Sequence, residues 1–140
     1  MRGSSLVRLA AAVALLIELA ACASTPPPAC TAPAASVAVT ELYFGWNVPG
    51  GSEVSEAEWH RFLDEVVTPR FPEGFTVLDG EGQYRMADGS ILRERSKVLV
   101  LIDAKGNLDA RLAEVVAEYK RRFNQESVLR RDSISCVSVR

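Results

Sequence analysis

The order of apolar and polar positions divides the chain into a leader, an aperiodic stretch and six periodic segments. Residues 9–17 form a run of nine apolar side chains behind Arg2 and Arg8. A membrane span needs ~20 such residues, so this run suits the h-region of a secretory signal instead. From 37 to 48 the pattern alternates with a period of two, which predicts a strand. Leu42, Phe44 and Trp46 share one face with Ala38 and Thr40, and Val39, Glu41, Tyr43 and Gly45 share the other. The next segment changes period. Trp59, Phe62, Leu63, Val66 and Val67 recur as a single helical stripe. Ser55 and Glu58 ahead of it form a capping box, with Val54 and Trp59 placed as a hydrophobic staple. Pro69 is expected to push Thr68 out of helical geometry and end the helix.

Residues 75–86 and 91–102 flank Ala87-Asp88-Gly89-Ser90, whose Asp-Gly centre predicts a hairpin with a two-residue turn. That turn sets Gln83 opposite Glu94 and Gly82 opposite Arg95, with Glu81 and Arg85 near opposite charges; Gly80 and Gly82 are expected to bulge the ribbon. Residues 98–102 are apolar throughout, which predicts a central strand covered on both faces or nearly so. A second helical stripe follows Asn107, its expected N-cap: Leu108, Leu112, Val115, Val116, Tyr119 and Phe123. Lys120, Arg121 and Arg122 close that helix at the negative end of its dipole. Residues 125–139 return as a last strand.

The order strand, helix, strand, strand, helix, strand predicts an α+β protein. Its simplest form is a ferredoxin-like βαββαβ two-layer sandwich, a four-stranded antiparallel sheet with two helices on one face. In it the last strand lies antiparallel beside the first. The face without helices then carries Val39, Glu41, Tyr43 and Gly45.

The leader adds an address. Leu19, Ala20, Ala21 and Cys22 match the lipobox of bacterial lipoproteins, in which the cysteine thiol takes a diacylglyceryl group and becomes the new N-terminus. Glu18 beside the apolar run and the Ala21-Cys22-Ala23 signal for cleavage after Ala23 compete with that outcome. The expected organisation is a signal peptide over 1–21, a Pro- and Ala-rich tether over 22–36 in extended polyproline form, and a folded domain over 37–140. Ala23 in place of the Asp that commonly retains lipoproteins in the inner membrane favours the outer membrane, with the domain in the periplasm.

Cysteine count changes the picture once Cys22 is assigned to lipid. Cys30 and Cys136 then form an even pair in an oxidising compartment, where a disulfide is the default and two free thiols the alternative. The predicted fold sets the start of the first strand near the end of the last, so the bridge is within reach. Without its signal the chain carries 14 basic and 17 acidic side chains and no basic stripe, which argues against a nucleic-acid partner. His60, the single histidine, falls off the apolar stripe and reads as solvated; no metal or cofactor is expected.

Thr40 to Gly45, residues 71–79, Ser96 to Leu101 and Gln125 to Val128 resemble domain-of-unknown-function family 3574, whose members are bacterial proteins often carrying a signal or lipoprotein sequence. The resemblance covers most of 37–139 and implies an exported, compact domain. It implies no activity, and no functional residue carries over from it.

Two functions are compatible with these residues. The first is a membrane-tethered envelope lipoprotein with a binding or assembly domain, docking a second copy or an envelope protein on the uncovered sheet face. The second is a small cofactor-independent enzyme with a site on or between sheet faces. There Glu41 would serve as base, Tyr43 as hydrogen-bond donor and Arg131 as anion clamp, with Arg70 a further candidate for ligand contact.

Overall fold

The computed structural model describes residues 29–103 and 108–139. The signal segment, Cys22 and most of the tether lie outside the described residues, as does Asn107, the expected cap of the second helix. The fold is α+β, with a four-stranded antiparallel sheet and two helices. Strand β1 is Ala35–Gly45, followed by a short ribbon of β2 (Asn47–Val48) and β3 (Ser52–Glu53). Helix α1 is Glu56–Phe62, and β4 (Thr76–Arg85) and β5 (Ile91–Asp103) form the long hairpin. Helix α2 is Asp109–Phe123 and β6 is Leu129–Val137. The sheet order is β4-β5-β1-β6, so β6 does pair with β1, Glu41 facing Arg131 and Ser36 facing Cys136.

One core fills the space between the sheet and both helices. Leu42, Phe44, Leu99 and Leu101 come from the sheet, Trp59 and Phe62 from α1, and Leu112, Val115 and Tyr119 from α2; all are buried. Their rings interlock at edge-to-face angles, Phe44 lying 4.6 Å and Phe62 5.2 Å from Tyr119, centroid to centroid. Such pairs contribute about 0.5–1.5 kcal/mol each beyond their buried area.

The capping box forms as its residues predict. Ser55 Oγ accepts from the Glu58 amide at 3.3 Å, and Glu58 Oε2 accepts from the Ser55 amide at 2.9 Å. The helix then departs from expectation. After Phe62 it widens into a π turn, Leu63–Val67, in which the Thr68 amide reaches back to the Leu63 carbonyl at 2.8 Å. Thr68 stays helical (φ −56°, ψ −44°), since the pressure of a following proline is a preference that packing overrides. Pro69 contributes no N–H, but the Arg70 and Phe71 amides still donate to the Val67 carbonyl, each at 3.0 Å, so the last turn closes beyond the proline.

The first strand begins at Ala35, two residues earlier than expected, and stops at Gly45 rather than 48. The last strand starts four residues late, at Leu129. The hairpin register differs by one residue: Gln83 faces Arg93, Gly82 faces Glu94 and Glu81 faces Arg95. The turn holds three residues instead of two. Met86 accepts from Gly89 at 3.0 Å and donates to Ser90 at 2.8 Å, and Gly89 takes φ +86°. Asp88 Oδ1 accepts from the Ser90 amide at 2.9 Å, which closes this bulged turn.

Gly80 and Gly82 do not bulge, for β4 pairs with β5 without interruption from Thr76 to Arg85. Strand β5 is central, and its second face is covered only in part: Leu99 and Leu101 are buried against the helices, while on the other face Val98 is buried, Val100 half-buried and Ile102 56% exposed. Helix α2 starts after Leu108 without a side-chain cap and ends at Asn124 in left-handed geometry (φ 49°).

Candidate functional site

The period of two sends alternate residues of every strand to the face without helices. Cross-strand pairing lines up Val39 with Ile102, Glu41 with Val100 and Arg131, and Tyr43 with Val98, Leu78 and Leu129. Three of the expected site residues therefore meet there. Tyr43 Oη donates to Glu41 Oε2 at 2.7 Å, and Arg131 Nη1 donates to both carboxylate oxygens of Glu41 at 3.1 and 2.9 Å. The hydrogen bond from Tyr43, then that from Arg131, holds the Glu41 carboxyl below the ordinary carboxylate range. Donation to this carboxylate pushes the Tyr43 phenol up. A carboxylate so satisfied is a poor base.

Arg70 is not part of that cluster. It lies in the helix layer, its Nε donating to Glu114 Oε2 at 2.9 Å and its Nη1 to the Val66 carbonyl at 2.8 Å. That pairing fastens the end of the π turn to α2. Arg121 and Arg122 are likewise engaged, both with Glu118, and Arg122 also with Glu65. His60 is exposed, its ring nitrogen 2.7 Å from the Glu56 carbonyl oxygen. Cys30 and Cys136 form a disulfide with their Cα atoms 5.5 Å apart.

At the Gly45 end of the uncovered face lies an open groove of about 710 Å³. Tyr43 lines it, whereas Glu41 and Arg131 do not. Its other polar walls are Asn47, Glu94, Gln125 and Glu126. Glu94 is there because Gly45 leaves it room: a Cβ at residue 45 would stand 2.5 Å from Glu94 Oε1. Gly45 within a strand is a residue that marks a bulge or a close approach, and here it is the close approach; Glu94 does not stand out in the sequence. Arg93, Glu94 and Arg95 read as ordinary strand charges, and the groove depends on the 124–127 loop, which periodicity does not place.

A second group unmarked by the sequence sits on the helix side. Lys97 is 6% exposed, with Nζ 2.5 Å from Asp79 Oδ1 and 2.9 Å from Glu56 Oε1. It stands 4.7 Å from the centroid of the Trp46 ring, and Arg95 covers the same ring at 4.4 Å. The buried indole N–H of Trp46 has no acceptor among the described residues. Burial opposes the charge on Lys97, but its hydrogen bonds with Asp79 and Glu56 outweigh that and leave its pKa raised. No group of three or more His, Cys, Asp or Glu among the described residues could hold a metal ion. No helix among them is long and apolar enough to cross a membrane.

The chain belongs to a family described as protein of unknown function (DUF3574), whose model matches residues 39–139. No curated protein sequence matches it. Among solved structures it is similar to a phage SAM lyase in complex with S-methyl-5'-thioadenosine, with a TM-score of 0.51 at 15% identity over 74% of this chain and 90% of that one. A phage SAM lyase in its apo state gives a TM-score of 0.49 at 16% identity, over 74% of this chain and 90% of that chain. At such identity the likeness is one of fold.

Proposed function

We propose that this chain is a lipid-tethered assembly domain of the bacterial cell envelope, a ferredoxin-like sandwich that pairs with a second copy through its uncovered sheet face. The observation that carries the reading is the apolar character of that face. Leu78, Ile102 and Leu129 are 51%, 56% and 65% exposed, with Val39, Tyr43 and Val100 half-buried between them. Four strands ~4.8 Å apart and about nine residues long at ~3.4 Å each present roughly 600 Å² in projection. That is close to the ~800 Å² of accessible surface per partner in a standard interface. The Glu41–Arg131 ion pair lies within this face, Glu41 standing between Val39 and Tyr43 on β1 and opposite Val100, and supplies a polar contact among the apolar ones.

The lipid tether draws its support from the lipobox ending at Cys22. The Cys30–Cys136 bridge agrees with an oxidising compartment outside the cytoplasm. The enzymatic reading has less support, because Glu41 is already saturated by Tyr43 and Arg131 and faces no enclosed cavity among the described residues.

Sedimentation of the Cys22→Ala chain tests the pairing. A dimer is expected, and Leu78→Glu with Ile102→Glu should give a folded monomer. A wild-type chain that stays monomeric at high concentration would falsify it. The tether is tested separately by labelled fatty acid, which wild type should incorporate and Cys22→Ala should not.

A further inference from the structure

The groove beside Gly45 has features that sheet pairing does not require. Glu94 carries a carboxylate whose one hydrogen bond is a long contact, 3.4 Å, from the Asn47 amide. Among the described residues no ion pair reaches it. The neighbouring Arg95 instead covers Trp46 and contacts Glu53 at 3.5 Å. Glu126 adds a second carboxylate, and no lysine or arginine is among the described residues that line the groove. Arg131 approaches from the rim, but Glu41 neutralises it.

The backbone is shaped around this carboxylate. Only a glycine at residue 45 admits Glu94 at its observed position, since any Cβ would stand 2.5 Å from Oε1. Tyr119 Oη fixes the Gly45 carbonyl from the core side at 2.9 Å. Gln125 Nε2 donates to the Asn47 carbonyl at 2.7 Å, which ties the 124–127 loop to the groove floor and leaves the Gln125 side-chain oxygen as an acceptor. The result is a concave site of ligand size, about 710 Å³, with an aromatic wall at Tyr43 and carboxylate and amide oxygens around it.

We propose that this groove binds a small organic cation, an ammonium or guanidinium compound, with Glu94 as its counter-ion and Gly45 as the residue that positions Glu94. An unpaired carboxylate on a half-buried wall gains most from a ligand that brings the opposite charge together with apolar surface, and an aromatic wall adds cation–π attraction. The groove shares Tyr43 and Leu129 with the assembly surface and lies at the Gly45 end of that face.

The test is calorimetric titration of the Cys22→Ala chain with choline and with agmatine, against 3,3-dimethylbutan-1-ol as the uncharged isostere of choline. At least one cation should bind at millimolar concentration and the alcohol should not. Glu94→Gln should weaken that binding by about tenfold or more. Gly45→Ala should do the same through displacement of the carboxylate, while Glu114→Gln in the helix layer, with the same change of charge, should leave it unaltered. Each variant is checked by its melting curve, and Leu78→Glu with Ile102→Glu should still bind, which separates this site from the assembly surface. Co-sedimentation with phosphatidylcholine vesicles distinguishes a lipid headgroup from a free solute. Equal binding of the alcohol, unchanged binding by a folded Glu94→Gln, or no binding of either cation overturns the proposal.

Discussion

A disulfide joins Cys30, five residues ahead of β1, to Cys136, next to the last residue of β6. Cys136 faces Ser36 across the ladder, so the bridge ties the chain just ahead of β1 to the edge strand. It closes a loop across a sequence separation of 106. In the chain-entropy picture such a loop stabilises by up to ~4.7 kcal/mol, and loss of a native bridge costs about 2–5 kcal/mol. Cys30→Ser should therefore lower the denaturant midpoint and raise the slope, since the unfolded chain is no longer cross-linked. Equal stability of the oxidised and reduced wild type would show that the bridge contributes nothing.

Acid sensitivity follows from carboxyls whose pKa values lie below their ordinary range, Glu58 and Asp88 through hydrogen bonds from Ser55 and Ser90 and four others through partners farther away or charged. Asp79 is lowered by its hydrogen bond from Lys97, Asp132 by that from Thr40, and Glu41 by that from Tyr43. Glu118, between Arg121 and Arg122, is lowered to about 2. A depressed folded-state pKa means that the stabilisation is complete above the unfolded value and is lost as pH falls through the folded one. Stability should hold at neutral pH and decline below the ordinary carboxylate values of 3.8 to 4.5, with the Glu118 contribution persisting to about pH 2. Lys97 acts in the opposite sense: its pKa is raised, so its contribution is complete below 10.5 and lost above. Denaturant midpoints against pH check both limbs, and Glu118→Gln should flatten the most acidic part.

What the sequence reveals is local chemistry and strand order. The Ser55–Glu58 box and the Trp59-to-Val67 stripe are readable because each is made by neighbours in the chain. Glu41, Tyr43 and Arg131 were identifiable as one group because alternation and the pairing of first and last strands decide it. The π turn at Leu63 escapes such reasoning, since the apolar stripe is the same for either winding and packing selects the wider one. The groove escapes it too. Glu94 acquires meaning only from a backbone approach at Gly45 and a loop tied down by Gln125.

The misjudged hairpin register has one physical source, and it can be tested. Asp88-Gly89 suits both a two-residue turn and a three-residue turn with a left-handed third residue, and the structure takes the second, with Gly89 at φ +86°. A side chain in left-handed backbone costs roughly 1–2 kcal/mol. Gly89→Ala should destabilise by that amount, and Gly89→Asn by less. Chemical denaturation of both variants measures the difference; identical stability of Gly89→Ala and wild type would exclude the bulged turn.

Tyr119 is fully buried, and its hydroxyl donates to the Gly45 carbonyl at 2.9 Å. Burial, and then the Glu94 charge, push its pKa well above that of an ordinary phenol. Tyr119→Phe keeps the ring against Phe44, Phe62 and Phe123 and removes the donor alone. The Gly45 carbonyl then loses a partner in the interior, at about 1–3 kcal/mol. Tyr119→Ala should cost more, about 3–5 kcal/mol, because the cavity adds to the lost bond. Ultraviolet titration gives an independent measure: Tyr43 and Tyr119 should both ionise above an ordinary phenol in the folded wild type, and the more resistant of the two should vanish in Tyr119→Phe. Because Gly45 also carries the space that Glu94 occupies, amide shifts at Gly45 and Asn47 should move in Tyr119→Phe. If they stay in place and stability is unchanged, the hydroxyl does not hold the groove floor.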